Sequence, residues 1–203
     1  MKEGQPKRAL LSPIERKTAE TEISIGLNID GTGKRQIKTP VGFLNHMLDL
    51  FAKHGLFDLD IKAKGDMQID EHHTVEDIGI VLGDAFAKAL GDKKGIKRYG
   101  FFVLPMDEAT ATVAIDFPGR YAFKLNCPFS RENVNDLSTE LVDDFWDAFA
   151  QNAKANLHIK VEGGRNDHHK IEAIFKATAR AIRMACEIDE RARNAIPSTK
   201  GKL

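Results

Sequence analysis

The chain repeats itself. Residues 51–65, FAKHGLFDLDIKAKG, align without gaps on residues 149–163, FAQNAKANLHIKVEG, at an offset of 98 and with six identities. Each copy then reaches a doubled histidine, HHTVE at 72–76 and HHKIE at 168–172, now at an offset of 96. Self-similarity of this kind marks one structural unit used twice. The fold must therefore accommodate two pseudo-equivalent halves, and whatever the histidines do in one half has a counterpart in the other.

Both halves share a local grammar. Period-two alternation in EISIGLNID (22–30) and ATATVAID (109–116) predicts strands, and DGTG (30–33) and FPG (117–119) supply turns. Helical segments follow, GFLNHMLDLFAKHG in the first half and TELVDDFWDAFAQNA in the second. After a further short strand comes a longer helix, over about 73–90 and again over about 169–186. Its apolar stripe is Val75, Ile78, Val81, Leu82, Ala85 and Phe86 in one copy, and Ile171, Ile174, Phe175, Thr178 and Ile182 in the other. Stripes at three- and four-residue spacing are buried helix faces. The expected architecture is α/β (α+β) and internally duplicated, each half a small sheet with helices on one face.

Bulk properties narrow the function classes. Lysine plus arginine balances aspartate plus glutamate at 30 each, so no net field favours nucleic acid or a membrane surface. No apolar run approaches the roughly 18 residues of a membrane span, and the charged N-terminus does not read as a signal peptide. Two cysteines, Cys127 and Cys186, are too few for a disulfide framework or a thiolate metal site. The cytoplasm fits, or a plastid for a mature plant chain.

The histidines carry the chemistry. On a helix, residues four apart share a face, so His72 points with Glu76 and His168 with Glu172. Neighbouring histidines diverge by about 100°, so His73 and His169 look elsewhere, and each pair suits two metal ions better than one. His46 precedes the repeat block by five residues, and the offset of 98 makes Asp144 its mate. His158 is the rival to Asp144 for that role. The set His46, His72, His73, Glu76, Asp144, His168, His169 and Glu172 gives two metals four protein ligands each. Nitrogen and carboxylate donors without thiolate fit Mn, Fe or Zn. The expected division puts His46, His72, Glu76 and His169 on one ion, and His73, Asp144, His168 and Glu172 on the other. Such a set serves a metal store or a di-metal hydrolase as well as a lyase.

GFLNHMLDLFAKHGLFDLDI, GDMQIDEHHTVEDIGIVLGDA, ALGDKKGIKRYG, PMDEA, GGRNDHHKIEAIFKATARA and IPSTKG occur in the order found in imidazoleglycerol-phosphate dehydratases, which the chain resembles from about Arg16 to Gly201. The resemblance implies ribosomal-protein-S5-domain-2-like halves, at about 16–98 and 99–196, in a single catalytic domain with a tail at 197–203. It implies dehydration of D-erythro-imidazoleglycerol phosphate to imidazole acetol phosphate in histidine biosynthesis, through an imidazolate bound by two Mn2+ per subunit. It further implies a homo-oligomer of 24 subunits with active sites at the subunit interfaces.

The same resemblance implies site roles. Glu20, in TAET, would be the base, with Glu76 and Glu172 also in the catalytic set, and Glu20, His46, His72 and His73 would bind substrate. Arg98, Arg120, Lys176, Ser198 and Lys200 would hold the phosphate. Two positions depart from the family's habit: Asp144 stands where many members carry histidine, and Leu50 where many carry glutamine.

Overall fold

The computed structural model describes Arg8 and residues 12–201; Lys202 and Leu203, the end of the tail, lie outside the described residues, as does most of the stretch before Ser12. Fourteen elements follow in order: β1 (Ile14–Lys17), β2 (Thr21–Asn28), β3 (Arg35–Lys38), α1 (Gly42–Gly55), β4 (Asp58–Gly65), α2 (His72–Leu90), β5 (Tyr99–Met106), β6 (Ala109–Asp116), β7 (Ala122–Asn126), β8 (Asn133–Val134), β9 (Leu137–Ser138), α3 (Leu141–Ala153), β10 (Asn156–Gly163) and α4 (Asp167–Cys186).

The duplication is visible in the connectivity. One sheet has the strand order β1-β2-β4-β3 and the other β5-β6-β10-β7. In each, the central pair is antiparallel and the last strand runs parallel to its neighbour. α1 and α3 occupy the same crossover and both end on a left-handed residue, Leu56 and Lys154, 98 positions apart. The small β8–β9 hairpin, inserted between β7 and α3, is the one named element without a first-half counterpart.

α1 spans the expected helical stretch, and α2 and α4 begin at or just before their histidine pairs. β1, β3, β5 and β7 are additions to the strands that alternation predicts. All four lie at sheet edges, and their exposed faces interrupt the apolar alternation that marks a half-buried strand.

Alternation along the central strands leaves each sheet with one apolar face: Ile23, Ile25 and Leu27 with Leu59 and Ile61 in one, Val113 and Ile115 with Leu157 and Ile159 in the other. The helices cover these two faces and pack on each other across the halves, α2 on α3 and α1 on α4. Both expected stripes are buried in that layer. An aromatic seam closes it. Trp146 of α3 lies 5.9 Å from Phe51 of α1 and 4.8 Å from Phe175 of α4, ring centroid to centroid, and Phe86 of α2 lies 5.6 Å from Phe149.

α2 and α3 approach closely because glycines face the contact. A Cβ on Gly79 would stand 2.6 Å from the Phe145 carbonyl oxygen, and one on Gly83 would stand 2.6 Å from that of Phe149. Gly79→Ala is therefore expected to destabilise the fold by about 1–3 kcal/mol, the usual cost of overpacking, despite alanine's better helix propensity. Urea unfolding of the two proteins is the measurement, and an unchanged or raised midpoint would contradict this account of the α2–α3 contact.

Candidate metal centre

The cross-half pairing of α1 and α4 brings three ligand-type side chains together. His46 of α1 and His168 and Glu172 of α4 offer atoms that all lie within 4.8 Å of one another. Both imidazoles present Nε2 to the same oxygen, Glu172 Oε2, at 3.5 Å and 3.2 Å. The other oxygen, Oε1, is held by the Lys176 ammonium one turn on. Burial alone would raise the Glu172 pKa, but Lys176, His168 and His46 outweigh it and keep the carboxyl below its ordinary value. Phe43 packs its ring against His168 at 5.0 Å, giving the trio an apolar wall.

This grouping corrects the expected division of ligands. His46 joins His168 and Glu172, not His72 and Glu76, because α1 packs on α4 and α2 on α3. Sequence spacing carries no information on that choice. The repeat mates of the trio are His72, Glu76 and Asp144, distributed over the other cross-half pair, α2 and α3. All three are half-buried. His158 lies on the exposed face of β10, opposite the side chains of Leu157 and Ile159 that face the helices. It is thus removed from both helix pairs.

The second histidine of each pair turns towards an acid. His73 Nδ1 lies 3.1 Å from Asp66 Oδ2 and 3.9 Å from Glu20 Oε2, and the hydrogen bond with Asp66 raises its pKa. His169 Nδ1 lies 2.8 Å from Glu108 Oε2, with Asp107 3.6 Å from its Nε2. Glu108 is itself fixed by the backbone N–H groups of Arg165 and Asn166. Glu20 is exposed in the β1–β2 turn, and Asp107 and Glu108 form the equivalent β5–β6 turn. A carboxylate on Nδ1 fixes the tautomer with Nε2 as the acceptor; in His169 that nitrogen lies 3.4 Å from the Asn166 amide. Sequence reasoning misses Asp66 and Glu108. Asp66 directly follows β4, shortly before the first histidine pair, and that proximity could have found it. Glu108 stands in the β5–β6 turn, 61 residues before His169, and only folding brings the two together.

The expected phosphate contacts are scattered. Arg98 is engaged: Nε and Nη2 donate to Asp116 at 2.6 Å and 3.0 Å, and Nη1 donates to the Pro197 carbonyl at 2.8 Å. It therefore anchors the C-terminal tail. Ser198 Oγ accepts from the Lys200 N–H at 3.2 Å, whereas Lys200 and Arg120 are exposed. Lys176 is bound to Glu172.

The imidazoleglycerol-phosphate dehydratase family model matches residues 39–182. The chain is 55% identical over 190 residues to the imidazoleglycerol-phosphate dehydratase of Rhodopirellula baltica, covering 94% of each chain. To that of Koribacter versatilis it is 53% identical, covering 94% of this chain and 97% of the relative. Among solved structures, it is similar to imidazoleglycerol-phosphate dehydratase from Staphylococcus aureus, with a TM-score of 0.80, 41% identity, and 88% of this chain and 99% of that one covered. The enzyme from Pyrococcus furiosus in complex with (S)-C348 gives a TM-score of 0.80 at 33% identity, covering 94% and 100%.

The hydrogen bond from His169, with the backbone donors behind it, holds Glu108 down at about 2 instead of 4.5. A carboxylate depressed in the folded state contributes stability that is present above its unfolded pKa and lost as pH falls through the folded one. Glu108 should accordingly stay ionised between 4.5 and about 2 in a carbon-13 NMR titration of the metal-free protein. Titration at an ordinary glutamate value would show that the His169–Glu108 bond is not held in solution.

Proposed function

The chain belongs to the imidazoleglycerol-phosphate dehydratase family, the hydro-lyases of histidine biosynthesis, and on that premise we propose that it dehydrates imidazoleglycerol phosphate at a centre holding two divalent ions, manganese in the working enzyme. The observation that supports this most is the convergence of His46, His168 and Glu172 from helices of different halves. Two imidazole nitrogens and a carboxylate oxygen are donors that suit Mn(II). Lys176 on Oε1 leaves Oε2 to the ion, as a neighbour that orients a ligand should.

The second ion takes the repeat mates His72, Glu76 and Asp144. His73 and His169, each oriented through Nδ1 by an acid, supply the remaining donors. In each trio three donors leave a fourth position, and the proposed source is a neighbouring subunit. Assembly is supported by apolar side chains left exposed: Ile69 beside the α2 pair, and Tyr99, Phe101 and Val103 along β5. No helix among the described residues is long and apolar enough to cross a membrane, and the setting we assign is the cytoplasm.

Bound at these residues, divalent ions supply Lewis acidity, which lowers the pKa of a coordinated group by many units. The protein's own groups do the rest. Glu20 is exposed and within 3.9 Å of His73, so its carboxylate is accessible to take the carbon-bound proton. Glu76 and Glu172 hold the ions and counter their charge. Arg98 uses three of its five N–H donors on Asp116 and Pro197, leaving two for phosphate. Arg120, Lys176, Ser198 and Lys200 complete the phosphate set, with Lys176 shared between Glu172 and the substrate.

Protein purified with Mn(II) is expected to carry about two ions per chain by elemental analysis, following four protein ligands per ion, and to turn over imidazoleglycerol phosphate. Uptake without turnover would make it a metal store. Asp144→Ala should lose occupancy at one site; full occupancy in that variant would remove Asp144 from the ligand set and return His158 to consideration.

A chain ending at Ile196 lacks Ser198 and Lys200 together with the Pro197 carbonyl that engages Arg98. It should keep both metals yet bind the phosphorylated substrate roughly ten- to a hundredfold more weakly for each charge-assisted hydrogen bond that the truncation removes. Binding of free imidazole should hardly change. Equal weakening for both ligands in titration calorimetry would mean that the tail acts on the metal centre instead.

A further inference from the structure

The acid immediately before each histidine pair does not face the metal cluster. Glu71 Oε1 accepts the Ser138 N–H at 2.8 Å. Its repeat mate Asp167 accepts the N–H and the hydroxyl of Ser130 and the N–H of Arg131, at 2.8–2.9 Å through Oδ2. Asp167 is buried with Lys170, which donates to Asp167 Oδ1 at 2.8 Å and to the Pro128 carbonyl at 2.7 Å. Two equivalent acids, 96 residues apart, thus grip one and the same stretch, residues 128–138. That stretch contains the β8–β9 hairpin, which has no counterpart in the first half.

The same stretch reaches α1. Val41, the residue before the helix, makes no side-chain cap. The Asp136 carboxylate supplies one from the other half, accepting the Gly42 N–H at 2.5 Å and the Phe43 N–H at 2.8 Å. Glycine at 42 admits it, since a Cβ there would lie 3.1 Å from Asp136 Oδ2. His46 is one turn further along. The stretch then runs directly into α3, tied back on itself by Thr139, whose hydroxyl donates to the Arg131 carbonyl at 2.8 Å.

We propose that residues 128–138 are a clamp that sets the mutual positions of the ligand-bearing helix starts, with Asp136 and Glu71 as positioning residues for His46 and His72. The inference rests on the metal reading above. A carboxylate cap satisfies backbone N–H groups that a helix start leaves open, and so holds the first turn against fraying. Fraying at Gly42–His46 would move one of the two imidazoles that share Glu172 Oε2.

The test uses the full chain and four proteins: wild type, Asp136→Ala, Asp136→Asn and, as a control, Asp58→Ala. Asp58 also accepts two backbone N–H groups, those of Thr32 and Lys34, but it follows the far end of α1. In the metal-free state, amide exchange at residues 42–47 should rise about three- to thirtyfold in Asp136→Ala, the scale set by removal of a helix cap. Asparagine keeps one acceptor oxygen where Asp136 uses two, one on each N–H, and should restore only part of the protection. Co(II) affinity, followed by the visible spectrum of the bound ion, should weaken by a similar factor in Asp136→Ala and stay near wild type in Asp58→Ala.

Unchanged exchange in Asp136→Ala overturns the clamp. Faster exchange with wild-type cobalt affinity overturns its positioning role, and an equal weakening in Asp58→Ala reduces it to general destabilisation. A wild type that takes up no cobalt overturns the metal reading itself, while the exchange comparison still decides whether Asp136 clamps α1.

Discussion

Neither half of this chain can cover its own sheet and also satisfy its own helices. The central strands bury one face, through Ile23, Ile25, Leu59 and Ile61 in the first half and Val113, Ile115, Leu157 and Ile159 in the second. α4 is buried over fourteen of its twenty residues, more than packing on one sheet provides. The helices of each half therefore need the helices of the other, and the Phe51–Trp146–Phe175 seam is where that need is met. Fully buried aromatic side chains are each worth roughly 1.5–3 kcal/mol relative to exposure, so the shared layer is where the halves become one structure.

That packing decides the chemistry. Because α1 meets α4 and α2 meets α3, no histidine pair lies against the outlying ligand of its own half. His46 is delivered to His168 and Glu172 across the pseudo-symmetric junction. The His46–His168–Glu172 cluster is thus a by-product of how two amphipathic sheets are covered. The repeat mates His72, Glu76 and Asp144 lie on the other cross-half pair, α2 and α3, where the outlying member is a carboxylate instead of an imidazole.

Much of this is legible in the sequence, for identifiable reasons. The duplication, the span of α1, the buried stripes of α2 and α4 and the helix-start position of both histidine pairs all follow from local periodicity. The division of ligands does not follow, since which helix packs on which is a tertiary choice. Edge strands such as IERK and RQIK carry too little apolar alternation to register. Asp136 is invisible for a different reason: a cap supplied from 94 residues away leaves no capping pattern at the helix it serves.

The departures from the repeat are as informative as the repeat. A pure duplication would leave both halves free to shift against each other along the helix layer, because apolar contacts are non-directional. Directional bonds are needed to fix the offset, and several of them run through the one inserted stretch. Glu71 and Asp167 occupy the same repeat position and bind different parts of it, while Asp136 extends from it to α1. An insertion in one half alone can touch both halves without needing a symmetric copy of itself. Symmetry repeats the helices and their histidine pairs, and its local breakdown at residues 128–138 adds bonds that tie one half to the other.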